Sequence, residues 1–248
     1  MKGFLKFGSP AFEKAFILNY DEKAIPAMRL GFWVGAILYA LFGILDYFLM
    51  PVSFVKIWFI RFALIIPFCS GMTALSYAKS LRRYMQSCFS LSAMAMGLGI
   101  VAMMAIADPS EPGYRYYYAG MMLVIMGICS LLKLRFFYAL FSILAILAAY
   151  EYTAVEIQGM IREGIDSLHT RIFINNNFFF VSCDIVGLMA AYYFEKSSRR
   201  EFIQQQEISE RHSDIVSLLD KMKTDLELAR QIQTRLLPDS SPAYAGIR

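Results

Sequence analysis

Charge is scarce in this sequence. Asp, Glu, Lys and Arg make up only 18% of its 248 residues, while 58% are hydrophobic, and the mean hydropathy is +0.48. A soluble domain of this length does not keep so little charge in such long uninterrupted blocks, so an integral membrane protein is expected. Histidine is nearly missing: His169 and His212 are too far apart in sequence to suggest haem or zinc. Cysteine is also sparse. Cys69, Cys88, Cys129 and Cys183 all fall in apolar runs without metal-ligand spacing and read as buried, inert thiols. No cofactor is expected in this chain. The N-terminus lacks a small-residue cleavage site after an apolar core, and Lys2 and Lys6 interrupt it, so it does not read as a signal peptide. The net charge of +4 is small, and no nucleic-acid partner is expected.

What is abundant is apolar sequence. Six runs stand out, at 30–50, 57–78, 85–107, 116–133, 136–154 and 172–194. A membrane-spanning helix takes about 20 residues at 1.5 Å each. The fourth run is the shortest, and LKLR at 132–135 ties it to the fifth in an expected hairpin. Ahead of them, Ser9-Pro10 reads as a helix start, and Phe12, Phe16, Ile17 and Tyr20 line one face of a short helix expected on the membrane surface. With the N-terminus inside, the inner segments hold Lys2, Lys6, Lys14, Lys23, Arg29, Lys79, Arg82, Arg83, Lys133, Arg135, Lys196, Arg199 and Arg200. The outer ones hold Lys56, Arg115, Arg162 and Arg171. Thirteen against four places both termini in the cytoplasm, in a cell inner membrane. The outer loops are too short to fold independently, so a stimulus must be met by helices, loops or lipid.

Charged groups within a bilayer helix cost a few kcal/mol and ask for partners. Asp46 and Arg61 sit about 6 Å below the outer surface on helices joined by a short loop, and are expected to pair. The pair can lock the first hairpin or contact a ligand. Asn175, Asn176 and Asn177 near the outer end of the sixth helix cannot all face lipid, which offers no hydrogen-bond partner. With Glu151 they are expected either to line an outer cavity shared with Asp46 and Arg61, or to bond between helices. Asp184 lies about 18 Å deeper than Ile172, on the helix that leaves the membrane, where it could bias that helix. Tyr114, Tyr116, Tyr117 and Tyr118 read as interface anchors. Gly97, Gly99 and Gly71 with Ser70 read as close-approach points between helices.

Residues 195–237 contain neither proline nor glycine. Ile208, Ile215, Met222, Ala229 and Leu236 recur every seven residues, and Gln205, His212, Leu219, Leu226 and Gln233 form a second seam. Alternating spacings of four and three mark a two-stranded parallel coiled coil, hence a homodimer. His212, Ala229 and Gln233 weaken the seam, which suits a switch between two registers. The plain alternative is a single amphipathic helix folded against a further domain.

The segment Leu228-Ala229-Arg230-Gln231-Ile232-Gln233, followed by Leu236-Leu237-Pro238, resembles the A-R-x-I-Q-x-x-L-L-P signature that precedes the catalytic domain of SpoIIE/RsbU-type serine/threonine phosphatases. That resemblance implies a regulatory linker whose switch residues include Ile232 and Gln233. It also implies an output domain holding Mn²⁺ or Mg²⁺ and a phosphoprotein substrate, with residues 238–248 as that domain's truncated start. No residue of this chain would then be catalytic. Tyr39, Phe42-Gly43, Asp46, Trp58, Ile60-Arg61 and Pro67 are similar to the six-helix input modules of bacterial class III adenylate cyclases. The fold expected is therefore all-α. Residues 1–28 form an N-terminal interfacial segment, 29–194 a six-helix membrane sensor for an unknown small-molecule or lipid ligand, and 195–237 the transmitter. A cyclase input module and a small transporter stand as alternatives.

Overall fold

The structure, a computed structural model, describes residues 5–162, 164 and 167–236, without the side chains of Lys79 and Arg115. Leu237, Pro238 and the segment 238–248 expected to open an output domain lie outside the described residues. Every regular element among the described residues is helical. Helix α1 (Pro10–Leu49) starts as its sequence dictates: Ser9 is extended and Pro10 occupies the first turn, where a missing N–H costs nothing. The Phe7 amide donates to the Glu13 carboxylate, supplying the first turn with an acidic partner. The helix then runs for 40 residues through Pro26. The short surface helix expected before residue 29 is instead continuous with the first span.

Helix α2 (Phe54–Trp58) passes through a π-helical stretch, Phe59–Ile65, into α3 (Ile66–Leu75). Pro67 explains the widened turns. It has no N–H for the carbonyl four residues back, and its ring pushes that carbonyl away. Helix α4 (Met85–Ile106) follows a 3₁₀ turn. It is the centre of the bundle: 61% of its apolar window is buried, and no other span exceeds 33%. Small residues make this possible. A Cβ on Gly97 would meet Ile146, and one on Gly99 would meet Ile65 and the Tyr39 hydroxyl. Ser90 and Ser142 hydrogen-bond at 2.7 Å across the same seam. Gly71, by contrast, faces open space.

A short turn of helix, α5 (Gly113–Tyr116), precedes α6 (Tyr118–Ser130). Then come α7 (Phe136–Tyr152), a second π stretch (Thr153–Ile157), and α8 (Leu168–Leu236). The 131–135 connection makes the expected hairpin, with Lys133 in the left-handed region (φ 44°) and its carbonyl accepting the Tyr20 hydroxyl at 2.9 Å. The six-span expectation is met by five helices that are long and apolar enough to cross a membrane. The sixth, α6, has 13 residues, about 20 Å against a hydrocarbon core of about 30 Å. Its N-terminal turns are given up to α5 and Tyr117. Outward-facing apolar side chains such as Leu41, Phe48, Phe141 and Val186 are more than half exposed, as a hydrocarbon surrounding allows. The chain divides into two compact units at Ser198 and Arg199. From Ile203 to Leu236 every residue of the second unit is exposed.

Candidate functional site

The chemistry of the bundle is concentrated around Arg61. The π turn carries its side chain inward, where it is 1% exposed and Asp46 is fully buried. Arg61 Nε donates to Asp46 Oδ2 at 2.8 Å, and Nη2 donates to Oδ1 at 3.0 Å. This two-pronged geometry is the strongest an arginine makes with a carboxylate. Nη1 donates to the Tyr39 carbonyl at 2.7 Å, and the guanidinium lies 4.6 Å from the centre of the Tyr39 ring. The Tyr117 hydroxyl completes the set. It accepts from Arg61 Nη2 at 2.5 Å and donates to Asp46 Oδ1 at 2.6 Å. Met103 Sδ lies 3.3 Å from the same hydroxyl. Trp58 Nε1 donates to the Gly43 carbonyl at 2.9 Å, holding α2 against α1 one turn from Asp46. The network thus joins α1, the π stretch, α4 and the start of α6.

Tyr117 was not legible as part of this group. The four neighbouring tyrosines read as interface anchors, yet Tyr114 and Tyr117 are buried while Tyr116 is 61% exposed. The signal was the helical phase of 114 and 117, one turn apart on the inward face.

A second carboxylate was missed altogether. Glu111 is 3% exposed. Its Oε1 accepts the amides of Val52 at 2.7 Å and Ser53 at 2.9 Å, and its Oε2 accepts that of Asp108 at 3.0 Å. It clasps the α1–α2 loop to the α4–α5 loop. Burial opposes its charge, but the amide bonds from Ser53, Asp108 and Val52 outweigh that and hold the carboxyl below the usual range. Asp108 followed three residues later by Glu111 is a capping-box pattern, and it was the sequence signal. Glu195 does the same for α7. Its Oε2 accepts the Phe136 amide at 2.8 Å, one of the donors a helix start cannot satisfy itself.

The remaining candidates lie elsewhere. Asn176 is buried and donates to the Tyr150 hydroxyl at 3.2 Å. Asn177 donates to the Phe173 carbonyl within its own helix, and Asn175 is exposed. Glu151 faces Asn177. These groups form an α7–α8 seam. The cavity that Arg61 lines, about 300 Å³ between α1 and α6, includes neither these groups nor Asp46. Asp184 is 7% exposed, its Oδ1 has no hydrogen-bond partner among the described residues, and a Cβ on nearby Gly187 would touch Cys129. His212, Leu219, Leu226, Ile232 and Gln233 all sit on the exposed part of α8.

One family model, MASE8, matches residues 44–209, more than half of the chain. The match includes Asp46, Arg61, Glu111, Tyr117 and Glu195. No curated protein and no solved structure matches the chain.

Proposed function

The chain belongs to the MASE8 family of membrane-associated sensor domains, and on that premise we propose that it senses within the membrane and transmits through a dimeric coiled coil to a SpoIIE-type serine/threonine phosphatase. The observation that carries the proposal is the bare stripe on the second unit. Ile208, Ile215, Leu219, Met222, Leu226 and Leu236 are each more than half exposed, at heptad spacing. One helix leaves that stripe in water, and a second copy in parallel covers it. Cytoplasmic termini at an inner membrane are part of this proposal, and the lysine and arginine distribution supports that orientation. The phosphatase output rests on the Leu228–Pro238 resemblance, and with it the Mn²⁺ or Mg²⁺ and the phosphoprotein substrate.

A second output has its own support. Tyr39, Gly43, Asp46, Trp58 and Arg61, which resemble cyclase input modules, are tied together by the hydrogen bonds around Arg61. The same input could drive a cyclase. Any coding sequence beyond Arg248 separates the two: aspartate–glycine metal motifs support the phosphatase, and a cyclase metal-and-base pattern refutes it.

Transmission is tested by disulfide crosslinking in native membranes, with the four native cysteines replaced. A cysteine at Leu219 or Leu226 is expected to link to its twin, and one at Glu227 is not. Efficient linking at Glu227 with none at Leu219 would sink the proposed seam.

A further inference from the structure

A cleft lies between α1 and α6. It encloses about 300 Å³, with Ala93, Met96 and Ile100 of α4 as its floor. Glycine opens it. A Cβ on Gly35 or on Gly127 would meet nothing within 4 Å, so these two residues leave facing recesses in the walls. At one end it is pinched shut, where Gly31 approaches the Leu131 backbone so closely that a Cβ would lie 2.8 Å from the carbonyl oxygen. Along its edge Leu38, Leu45 and Leu123 are about half exposed, on faces that meet hydrocarbon.

Three properties select the occupant. The first is shape. The α1 wall runs from Gly31 to Leu49, about 27 Å at the helical rise and close to the hydrocarbon thickness of about 30 Å. A volume of about 300 Å³ drawn out over that length is too narrow for another helix, which is about 10 Å across. The second is chemistry. Arg61 is the charged residue in the wall, and its donors are already engaged by Asp46, the Tyr39 carbonyl and Tyr117. Tyr39, Tyr116 and Tyr117 are the other polar side chains of a lining that is otherwise apolar, too few to hold a polar ligand, and water does not settle in so apolar a space. The third is access. The open side faces lipid, so the occupant arrives from the bilayer.

On the proposed reading of the chain as a sensor, we infer that the α1–α6 cleft seats one acyl chain of a bilayer phospholipid, and that this chain is what the bundle senses. A chain in the cleft bears on both walls beside Tyr117, whose hydroxyl bridges α6 to the Asp46–Arg61 pair. Filling or emptying the cleft therefore changes the spacing of α1 and α6 where the polar network joins them.

The test uses the chain in nanodiscs containing a phosphatidylcholine with a diazirine in its acyl chain, with adducts mapped by mass spectrometry. Wild type is expected to label at Met96 and Leu123 more heavily than at Phe178 and Val186, which face outward on α8. Gly35→Leu and Gly127→Leu, each built into open space, are expected to cut the cleft adducts about tenfold, as an overfilled site should, and to leave the α8 adducts unchanged. The wild-type ratio stands without either variant. Cleft labelling no heavier than α8 labelling, or cleft adducts that persist in both filled variants, would overturn the assignment. The Leu219 crosslink reads transmission separately. Its loss with cleft labelling intact refutes the coiled coil and leaves the lipid seat standing.

Discussion

Replacing Arg61 with alanine strips Asp46 of its charged partner and of both hydrogen bonds from it. Asp46 Oδ2 loses its bond from Arg61 Nε, and Oδ1 keeps only the Tyr117 hydroxyl. The carboxylate is fully buried, so water does not replace the lost donors without opening the bundle. Breaking a buried pair from one side costs about 3–5 kcal/mol, against about 1 kcal/mol or less for a pair screened by solvent. The upper range applies here because the geometry is two-pronged and the Tyr39 stacking is lost with it. Equilibrium unfolding in mixed detergent micelles, followed by circular dichroism, measures the loss. A control removes the whole network: Asp46→Leu, Arg61→Met and Tyr117→Phe together leave no orphaned polar group and are expected to recover most of the stability. If Arg61→Ala costs less than about 1 kcal/mol, the pair is hydrated and the reasoning is wrong.

Two further outcomes follow from the same geometry. Glu111→Gln puts an amide nitrogen where a carboxylate oxygen now accepts a backbone N–H. A loss of about 1.5–3 kcal/mol is expected, the range for hydrogen bonds to a charged group. Because the folded carboxyl is held below its ordinary value of 4.5, its contribution is fully present above that pH and fades as pH falls through the folded value. The stability gap between wild type and Glu111→Gln should therefore shrink in acid, and a gap that widens there would contradict the clasp. Gly31→Ala forces a Cβ against the Leu131 carbonyl, which is backbone and cannot swing away. It is expected to destabilise by about 1–3 kcal/mol. Gly35→Ala meets nothing and should be neutral or stabilising by up to about 1 kcal/mol. Equal effects in thermal melts would refute the pinch at Gly31.

The sequence made some of this legible and hid the rest for physical reasons. Asp46 and Arg61 could be paired because a short loop fixes two helices side by side and puts opposite charges at one depth. The Ser9–Pro10 start and the 132–135 hairpin were readable because caps and turns are local. Which helices become neighbours later in the chain is not local. Hydropathy gives the runs and not their order around the bundle, so Glu151 and the asparagines were grouped with Arg61 when they belong to an α7–α8 seam. Asn175, Asn176 and Asn177 differ only in helical phase, and phase in a uniformly apolar environment leaves little trace. Tyr117 failed for the same reason: a ring at a boundary looks the same whether it faces lipid or core.

Asp46, Glu111 and Glu195 share a role that composition alone conceals. Each is buried, and each accepts donors that belong to a different segment: Arg61 for the first, the Val52 and Ser53 amides for the second, the Phe136 amide for the third. All three act where a chain segment begins or bends, and there the backbone or a cation has donors left over. Between these joints many contacts are apolar and small, such as Gly97 on Ile146 and Gly187 on Cys129, with a few neutral hydrogen bonds such as Ser90 to Ser142 among them. The apolar contacts have no angular preference comparable to a hydrogen bond, so they resist separation more than sliding. A bundle pinned at its joints and smooth along its shafts has few ways to respond to its surroundings. Its helices can shift against each other without unfolding, and a chain wedged between α1 and α6 acts on that degree of freedom.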